Sequence, residues 1–171
     1  MVKVTESQEN IAFKPETMAE VQRIISQYPE GRQKSALLRI LHIAQAEFGG
    51  WLSVSTMNYV AELLKIKPIE VYEVASFYSM YNLKPVGKYM LEFCHTATCA
   101  TSGVESLIDY TCKKLGIKTG ETTADGLFTI KEVECLGACG YAPMLQLGKS
   151  YREHLTPAKI DSLIDELKAK G

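Results

Sequence analysis

Apolar residues recur at three- and four-residue spacing through the first half of the chain, which is the spacing of helices with one buried face. The pattern predicts four amphipathic helices: one from Pro15, one over residues 33–48, one capped by Ser55 and one from Pro68. Short loops containing Pro and Gly separate them. We therefore expect a flexible arm over residues 1–13 and a four-helix bundle over residues 14–85.

The second half alternates short apolar strands with helices. The pattern predicts, in order, a strand over residues 88–93, a helix from Thr101 or Ser102 to Leu115, strands over residues 127–134 and 144–147, and a helix from Pro157. Gly148 is expected to open a two-residue hairpin turn after the third strand. This order predicts a small α/β domain over residues 86–171, with helices packed against one sheet.

Charge and composition exclude several classes of function. The 19 Lys and Arg residues balance 20 Asp and Glu residues, and the net charge of −1 argues against nucleic acid binding. No apolar run approaches the roughly 20 residues of a membrane-spanning helix, so we expect no direct membrane insertion. Residues 1–10 are polar and lack the apolar segment of a signal peptide, which predicts a cytoplasmic protein with reduced thiols.

The candidate chemistry lies in two cysteine pairs, Cys94 with Cys99 and Cys135 with Cys139. Each pair follows the C-terminal end of a predicted strand, which is where α/β sheets place their sites. Four thiolates from two loops suit a [2Fe–2S] cluster with one pair on each iron. They also suit a structural zinc ion or a thiol redox site, and spacing alone leaves those alternatives open. The fifth cysteine, Cys112, is expected to be a buried structural thiol on its helix.

The residues beside the cysteines add two expectations. His95 suggests histidine ligation of iron, but such sites need two histidines and neither His42 nor His154 has a matching motif. We therefore expect His95 to face away from the iron. Backbone N–H groups are expected to donate hydrogen bonds to the sulfur atoms, namely those of Thr96, Thr98, Ala100 and Gly137.

Residues 71–81 are unusually rich in aromatic side chains. One interpretation is that these side chains fill the core of the helical half. The other is that Phe77, Tyr78 and Tyr81 form a docking surface, because aromatic residues are enriched where protein partners bury each other. Both interpretations can apply to different members of the segment.

A resemblance to a known family rests on three runs: Cys94-x4-Cys99, Gly126-Leu127-Phe128-Thr129 and Glu134-Cys135-Leu136-Gly137-Ala138-Cys139-Gly140-x-Ala142-Pro143. They closely resemble the thioredoxin-like [2Fe–2S] subunit of respiratory complex I, NADH:quinone oxidoreductase, and the likeness spans about residues 15–169. The resemblance implies an α/β chain in which a four-helix bundle precedes a thioredoxin-like [2Fe–2S] ferredoxin domain. It also implies that the cluster ligands are Cys94, Cys99, Cys135 and Cys139.

The same resemblance implies a role and partners. The chain would carry one cluster that exchanges single electrons with FMN on an NADH-oxidising partner subunit, in a stable heterodimer within a larger peripheral arm. It would have no complete active site of its own, and its complex would lie on the cytoplasmic side of the inner membrane. Equivalent subunits of NAD(P)-linked hydrogenases and formate dehydrogenases are similar. A zinc-stabilised interaction module is the alternative from another class.

Overall fold

The computed structural model describes residues 11–170. The chain divides into two compact units, one ending at Pro85 and the other beginning at Val86. Each unit encloses a hydrophobic core of its own. Of the arm expected over residues 1–13, residues 1–10 lie outside the described residues.

The first unit is helical, with α1 over Pro15–Ile25, α2 over Leu37–Glu47, α3 over Val54–Leu64 and α4 over Pro68–Phe77. The helix predicted from residue 33 begins instead as a 3-10 turn, Gln33–Ala36, before α2. The N-cap of α3 is Ser53 and not Ser55, because Ser53 has extended backbone angles and its hydroxyl accepts the Thr56 N–H at 3.0 Å.

The core of the first unit buries the predicted helix faces, including Val21, Ile40 and Val60. Phe13 also belongs to this core: its ring stacks on Phe48 with centroids 5.2 Å apart. The last residue of the expected arm is therefore packed into the helical unit.

The aromatic segment divides between core and surface. Phe77 is 80% exposed and Tyr78 is 40% exposed at the end of α4. Tyr81 is only 5% exposed, and its hydroxyl donates to the Leu38 carbonyl at 2.9 Å. Placing Tyr81 on a docking surface was therefore wrong, since its ring lies in the core and its hydroxyl is already bonded within the unit.

The second unit combines strands and helices in the order β1 Tyr89–Cys94, α5 Ala97–Thr101, α6 Val104–Leu115, β2 Phe128–Val133, β3 Leu145–Leu147, β4 Ser150–Arg152 and α7 Pro157–Ala169. The predicted cap at Thr101 or Ser102 is wrong, because α6 begins after Gly103. Thr101 instead ends the short helix α5, and the hydroxyls of both residues donate back to the Thr98 carbonyl.

The sheet has the strand order β2-β1-β3-β4, with β1 and β2 parallel and the other neighbours antiparallel. Its buried face carries Leu91, Phe93 and Ile130, which share a core with residues of α6 and α7. Gly148 has a φ of 58° in the turn between β3 and β4, as the hairpin prediction requires. Among the helices of residues 11–170, none is both long enough and apolar enough to cross a membrane.

Candidate metal centre

Strands β1 and β2 bring the two cysteine pairs to one edge of the sheet. They run in parallel, with Cys94 in register with Val133. The ladder continues beyond the strands, because the His95 N–H donates to the Val133 carbonyl at 3.0 Å. The chain therefore leaves both strands side by side, and Cys135 follows β2 after one further residue.

The first cysteine loop, residues 94–101, holds its sulfur atoms inside the protein. Cys94 is 3% exposed and Cys99 is 1% exposed. The hydroxyl of Thr96 lies 3.4 Å from Cys94 Sγ, and the two thiols are close enough to shift each other's pKa. The loop thus holds two buried sulfur atoms near each other.

The second cysteine loop, residues 135–142, leaves its thiols open to solvent. Cys135 and Cys139 are both exposed, and a 3-10 turn begins at Cys139. Gly137 has a φ of 76°, a conformation that glycine adopts without strain. Its N–H donates to Cys135 Sγ at 3.4 Å.

The two loops lie close enough to affect the ionisation of each other's thiols. The backbone N–H of Leu136, in the second loop, lies near enough to the sulfur of Cys94, in the first, to help lower the pKa of that thiol. Cys139 lies close enough to Cys99 for its charge to raise the pKa of that thiol. Within residues 11–170, no three or more His, Cys, Asp or Glu side chains are grouped as ligands of a single metal ion.

The thiol pKa values reflect this shared environment. Burial opposes ionisation of Cys94, but hydrogen bonds from the Thr96 hydroxyl and from the Leu136 and Thr96 N–H groups outweigh it and lower the pKa to about 7. Burial, the hydrogen bond with Cys94 and the charge of Cys94 raise the pKa of Cys99 to about 11. One sulfur of the first pair is therefore prepared to bind as a thiolate near neutral pH.

The predicted amide donors are found in part. The donor at Gly137 is confirmed, and the Thr96 N–H lies near enough to Cys94 Sγ to help lower the pKa of that thiol. Ala100 was predicted wrongly, because its N–H donates to the Thr96 carbonyl at 2.9 Å within α5. The donor at Thr98 stays a prediction.

The other candidate residues lie apart from the sulfur atoms. His95 faces carboxylates: its Nε2 is 3.4 Å from Glu105 Oε1 and its Nδ1 is 3.9 Å from Glu132 Oε2. Cys112 packs against the second core on α6 and is half-buried, and burial raises its pKa. Cys112 is thus more exposed than predicted.

Sequence reasoning missed the groups that hold the second cysteine loop. The Tyr151 hydroxyl donates to the Leu136 carbonyl at 2.8 Å, and the His154 N–H donates to the Tyr141 carbonyl at 2.9 Å. Both come from the chain after β3. The only signal in the sequence was Tyr151, an aromatic residue in the return strand of the hairpin. Whether its hydroxyl contacts the cysteine loop depends on the register of the sheet, which the sequence does not give.

Comparison with protein families matches residues 21–168 to the thioredoxin-like [2Fe–2S] ferredoxin family. The chain is 45% identical over 157 residues to the E subunit of NADH-quinone oxidoreductase from Rickettsia felis, covering 92% of this chain and 94% of the relative. It is 43% identical over 157 residues to NADH dehydrogenase [ubiquinone] flavoprotein 2, mitochondrial, of Dictyostelium discoideum, covering 91% of this chain and 63% of the relative.

A solved structure of similar fold is the NAD+-reducing [NiFe]-hydrogenase in the air-oxidized state, with a TM-score of 0.68 and 25% identity. The match covers 78% of this chain and 23% of the hydrogenase chain. The matched region thus spans less than a quarter of the length of that hydrogenase chain.

Proposed function

Because the chain belongs to the thioredoxin-like [2Fe–2S] ferredoxin family, we propose that it acts as the electron-transfer subunit of an NADH-quinone oxidoreductase. Relatives that carry the name of the E subunit of that enzyme align with more than nine-tenths of the chain, and they confirm the resemblance predicted from the cysteine motifs. As a subunit of an oxidoreductase complex, it contributes a redox centre, while NADH oxidation takes place on its partner.

In this proposal the cluster ligands are Cys94, Cys99, Cys135 and Cys139, with one pair on each iron. The observation that carries it is the parallel register of β1 and β2, which places Cys94 beside Val133 and brings the two cysteine loops to the same edge of the sheet. Four thiols from two adjacent loops are the donor set of an all-cysteine [2Fe–2S] cluster.

A bound cluster supplies a one-electron redox centre. The residues of this chain hold the sulfur atoms: the Gly137 N–H donates to Cys135 Sγ, and the N–H groups of Thr96 and Leu136 lie near Cys94 and help to lower its pKa. Such donors stabilise negative charge on the sulfur atoms and so favour the reduced state. The burial of Cys94 and Cys99 limits water on one side of the site.

The proposed partner is a subunit that carries FMN and binds NADH, and the contact surface lies on the first unit, which we propose to be a four-helix bundle. We call this surface the docking patch and define it as Phe77, Tyr78 and Met80, which are exposed. Tyr81 is left out because it is buried. Phe77 is 80% exposed, although a phenylalanine normally prefers to be buried, and its ring packs edge-on against Tyr78 at 5.0 Å. The complex would lie on the cytoplasmic side of the membrane, as the resemblance implies.

A second candidate is the equivalent subunit of an NAD-linked hydrogenase. The fold match to the NAD+-reducing [NiFe]-hydrogenase favours it, although identity there is 25%, against 45% to the Rickettsia felis relative. Identification of the proteins that co-purify with the chain decides between the two assemblies. A hydrogenase subunit would indicate the hydrogenase, and quinone-reducing membrane subunits would indicate the NADH-quinone oxidoreductase.

The cluster is tested by anaerobic purification of the full chain and analysis of its metal and sulfide. We expect two irons and two sulfides per chain, with a paramagnetic signal on reduction. Cys135→Ser should weaken or abolish that signal, whereas Cys112→Ser, the matched control, should keep it. Stoichiometric zinc without sulfide, or a signal unaffected by Cys135→Ser, would contradict the proposal.

The partner surface is tested by co-purification with the flavin-bearing subunit. We expect the double variant Phe77→Asp and Tyr78→Asp to reduce recovery of the partner, because it places two charges in an apolar contact. Val54→Asp is the matched control, since Val54 is 48% exposed at the start of α3, where a carboxylate is tolerated. Equal recovery with the double variant and the control would remove the docking patch from the proposal.

A further inference from the structure

A chain of two hydrogen bonds leads from the hydroxyl of Tyr151 to a cysteine sulfur. The hydroxyl donates to the Leu136 carbonyl at 2.8 Å. The N–H of Gly137 belongs to the same peptide unit and donates to Cys135 Sγ at 3.4 Å. The carbonyl and the N–H of a planar peptide unit point in opposite directions, so one rigid plane connects the tyrosine to the sulfur.

We propose that Tyr151 is a positioning residue that fixes this peptide unit and thereby raises the reduction potential of the cluster. The inference rests on the proposed function, since it needs Cys135 to ligate iron. A hydrogen bond to the carbonyl polarises the peptide and strengthens its N–H as a donor. A stronger donor to Sγ stabilises the reduced state, which carries one more negative charge than the oxidised state.

The protein leaves open space beside this peptide unit at Gly137. Gly137 has a φ of 76°, and a Cβ placed on it would meet no neighbouring protein atom within 4 Å. The later part of the loop is tied by the His154 N–H to the Tyr141 carbonyl. The Tyr151 hydroxyl ties the earlier part of the loop, because it donates to the carbonyl of Leu136, the residue next to Cys135.

The tyrosine itself is held by the sheet. It lies on β4, opposite Gln146 of β3, so its backbone position follows the hairpin register and not the cysteine loop. Its side chain is 43% exposed, and hydrogen bonds open to water contribute modestly. We therefore expect Tyr151 to adjust the potential without being required for the cluster to assemble.

The experiment is a redox titration of the iron-loaded chain, followed by its paramagnetic signal. Tyr151→Phe removes only the hydroxyl, and we expect a potential lower than that of the wild type. The ratio of oxidised to reduced cluster at a fixed potential should rise about threefold, which is about 28 mV for a one-electron couple. Tyr141→Phe is the matched control: this residue is an exposed loop tyrosine whose hydroxyl makes no hydrogen bond to any residue in the part of the chain that the structure describes.

A second readout uses the metal-free chain, where no cluster contributes. Hydrogen–deuterium exchange at the Gly137 amide should be faster in Tyr151→Phe than in the wild type and unchanged in Tyr141→Phe. A fully loaded Tyr151→Phe chain at the wild-type potential would overturn this inference alone, as would unchanged exchange at Gly137. A wild-type chain without iron and sulfide would overturn the proposed function, and this inference with it.

Discussion

The two cysteine loops leave neighbouring strands at one edge of the sheet but are held in different ways. The first loop buries both thiols and closes on itself, since the Ala100 N–H donates to the Thr96 carbonyl within α5. The second loop exposes both thiols, and Tyr151 and His154 tie it from the segment after β3. The first loop buries its thiols in the core, whereas the second exposes its thiols and is also held by hydrogen bonds from distant residues.

This difference suggests a division of labour between the loops. In the proposed cluster site, the buried pair would be arranged before iron binds, which would reduce the entropy lost on binding. The exposed pair, on a glycine-containing loop, would be the side of the site open to solvent. The comparison predicts that substitutions of buried core residues destabilise the first loop most. Substitutions that remove distant hydrogen-bond donors should instead loosen the second loop.

The largest effect is expected at Phe93, the residue directly before Cys94. It is fully buried between the sheet and the helices of the second unit. Phe93→Ala should lower the free energy of unfolding of this unit by about 3–5 kcal/mol, because it removes a large side chain and leaves a cavity. Hydrogen–deuterium exchange of the β1 amides in the metal-free chain measures this loss.

The control for this comparison lies in the second loop. Leu136 is half-buried against the same core, so Leu136→Ala should cost less than about 2 kcal/mol by the same measurement. Equal losses at the two positions would show that both loops rest on the core to the same extent, and the comparison would fail.

Sequence reasoning placed the two cysteine pairs at strand ends correctly, but it did not find the groups that hold their loops. Each cysteine pair follows a strand whose apolar residues stand out, such as Phe93 before Cys94, and parallel strands bring their ends together. Helix α5 was missed because five residues of Ala, Thr and Cys show no apolar period. The shift of a cap from Ser55 to Ser53 has a similar cause, since two nearby serines look equally suitable before the backbone angles are known.

Long-range contacts account for the remaining differences. Tyr81 was expected on a docking surface because aromatic residues are enriched at protein interfaces, but its hydroxyl donates to the Leu38 carbonyl 43 positions away. Tyr151 reaches Leu136 across 15 positions of chain. Neither partner follows from local spacing, because both depend on how separate elements pack.

An intermediate effect is expected from pH in the metal-free chain. The pKa of Cys94 falls from 9.0 to about 7 on folding, so between those values the folded state releases its proton before the unfolded state does. Stability should therefore rise from about pH 7 to 9. The pKa of Cys99 rises from 9.0 to about 11, so the folded state keeps a proton that the unfolded state loses and stability should fall above pH 9. Urea denaturation at a series of pH values measures the free energy of unfolding. It should show both the rise between pH 7 and 9, the rising limb, and the fall above pH 9.

Two threonine variants test whether the Thr96 hydroxyl is responsible for the low pKa of Cys94. Thr96→Val removes the hydroxyl that lies 3.4 Å from Cys94 Sγ, so the pKa of Cys94 should move back up and the rising limb should shrink. Thr98→Val, an exposed position in the same loop, should leave the limb unchanged. A rising limb of the same size in both variants would mean that the Thr96 hydroxyl does not set the ionisation of Cys94.

The smallest effect is expected at the carboxylates that face His95. Glu105 Oε1 lies 3.4 Å from the imidazole, but the two side chains are 69% and 41% exposed, so Glu105→Gln should change stability by less than about 1 kcal/mol. Part of that change belongs to α6, because Glu105 lies in its first turn, where a negative charge is favourable.

The control is Glu132→Gln, which removes a charge 3.9 Å from the same ring without touching a helix end. A larger loss for Glu105→Gln that persists in a His95→Ala background therefore belongs to the helix. A loss that vanishes in that background would instead assign His95 a part in holding the first loop.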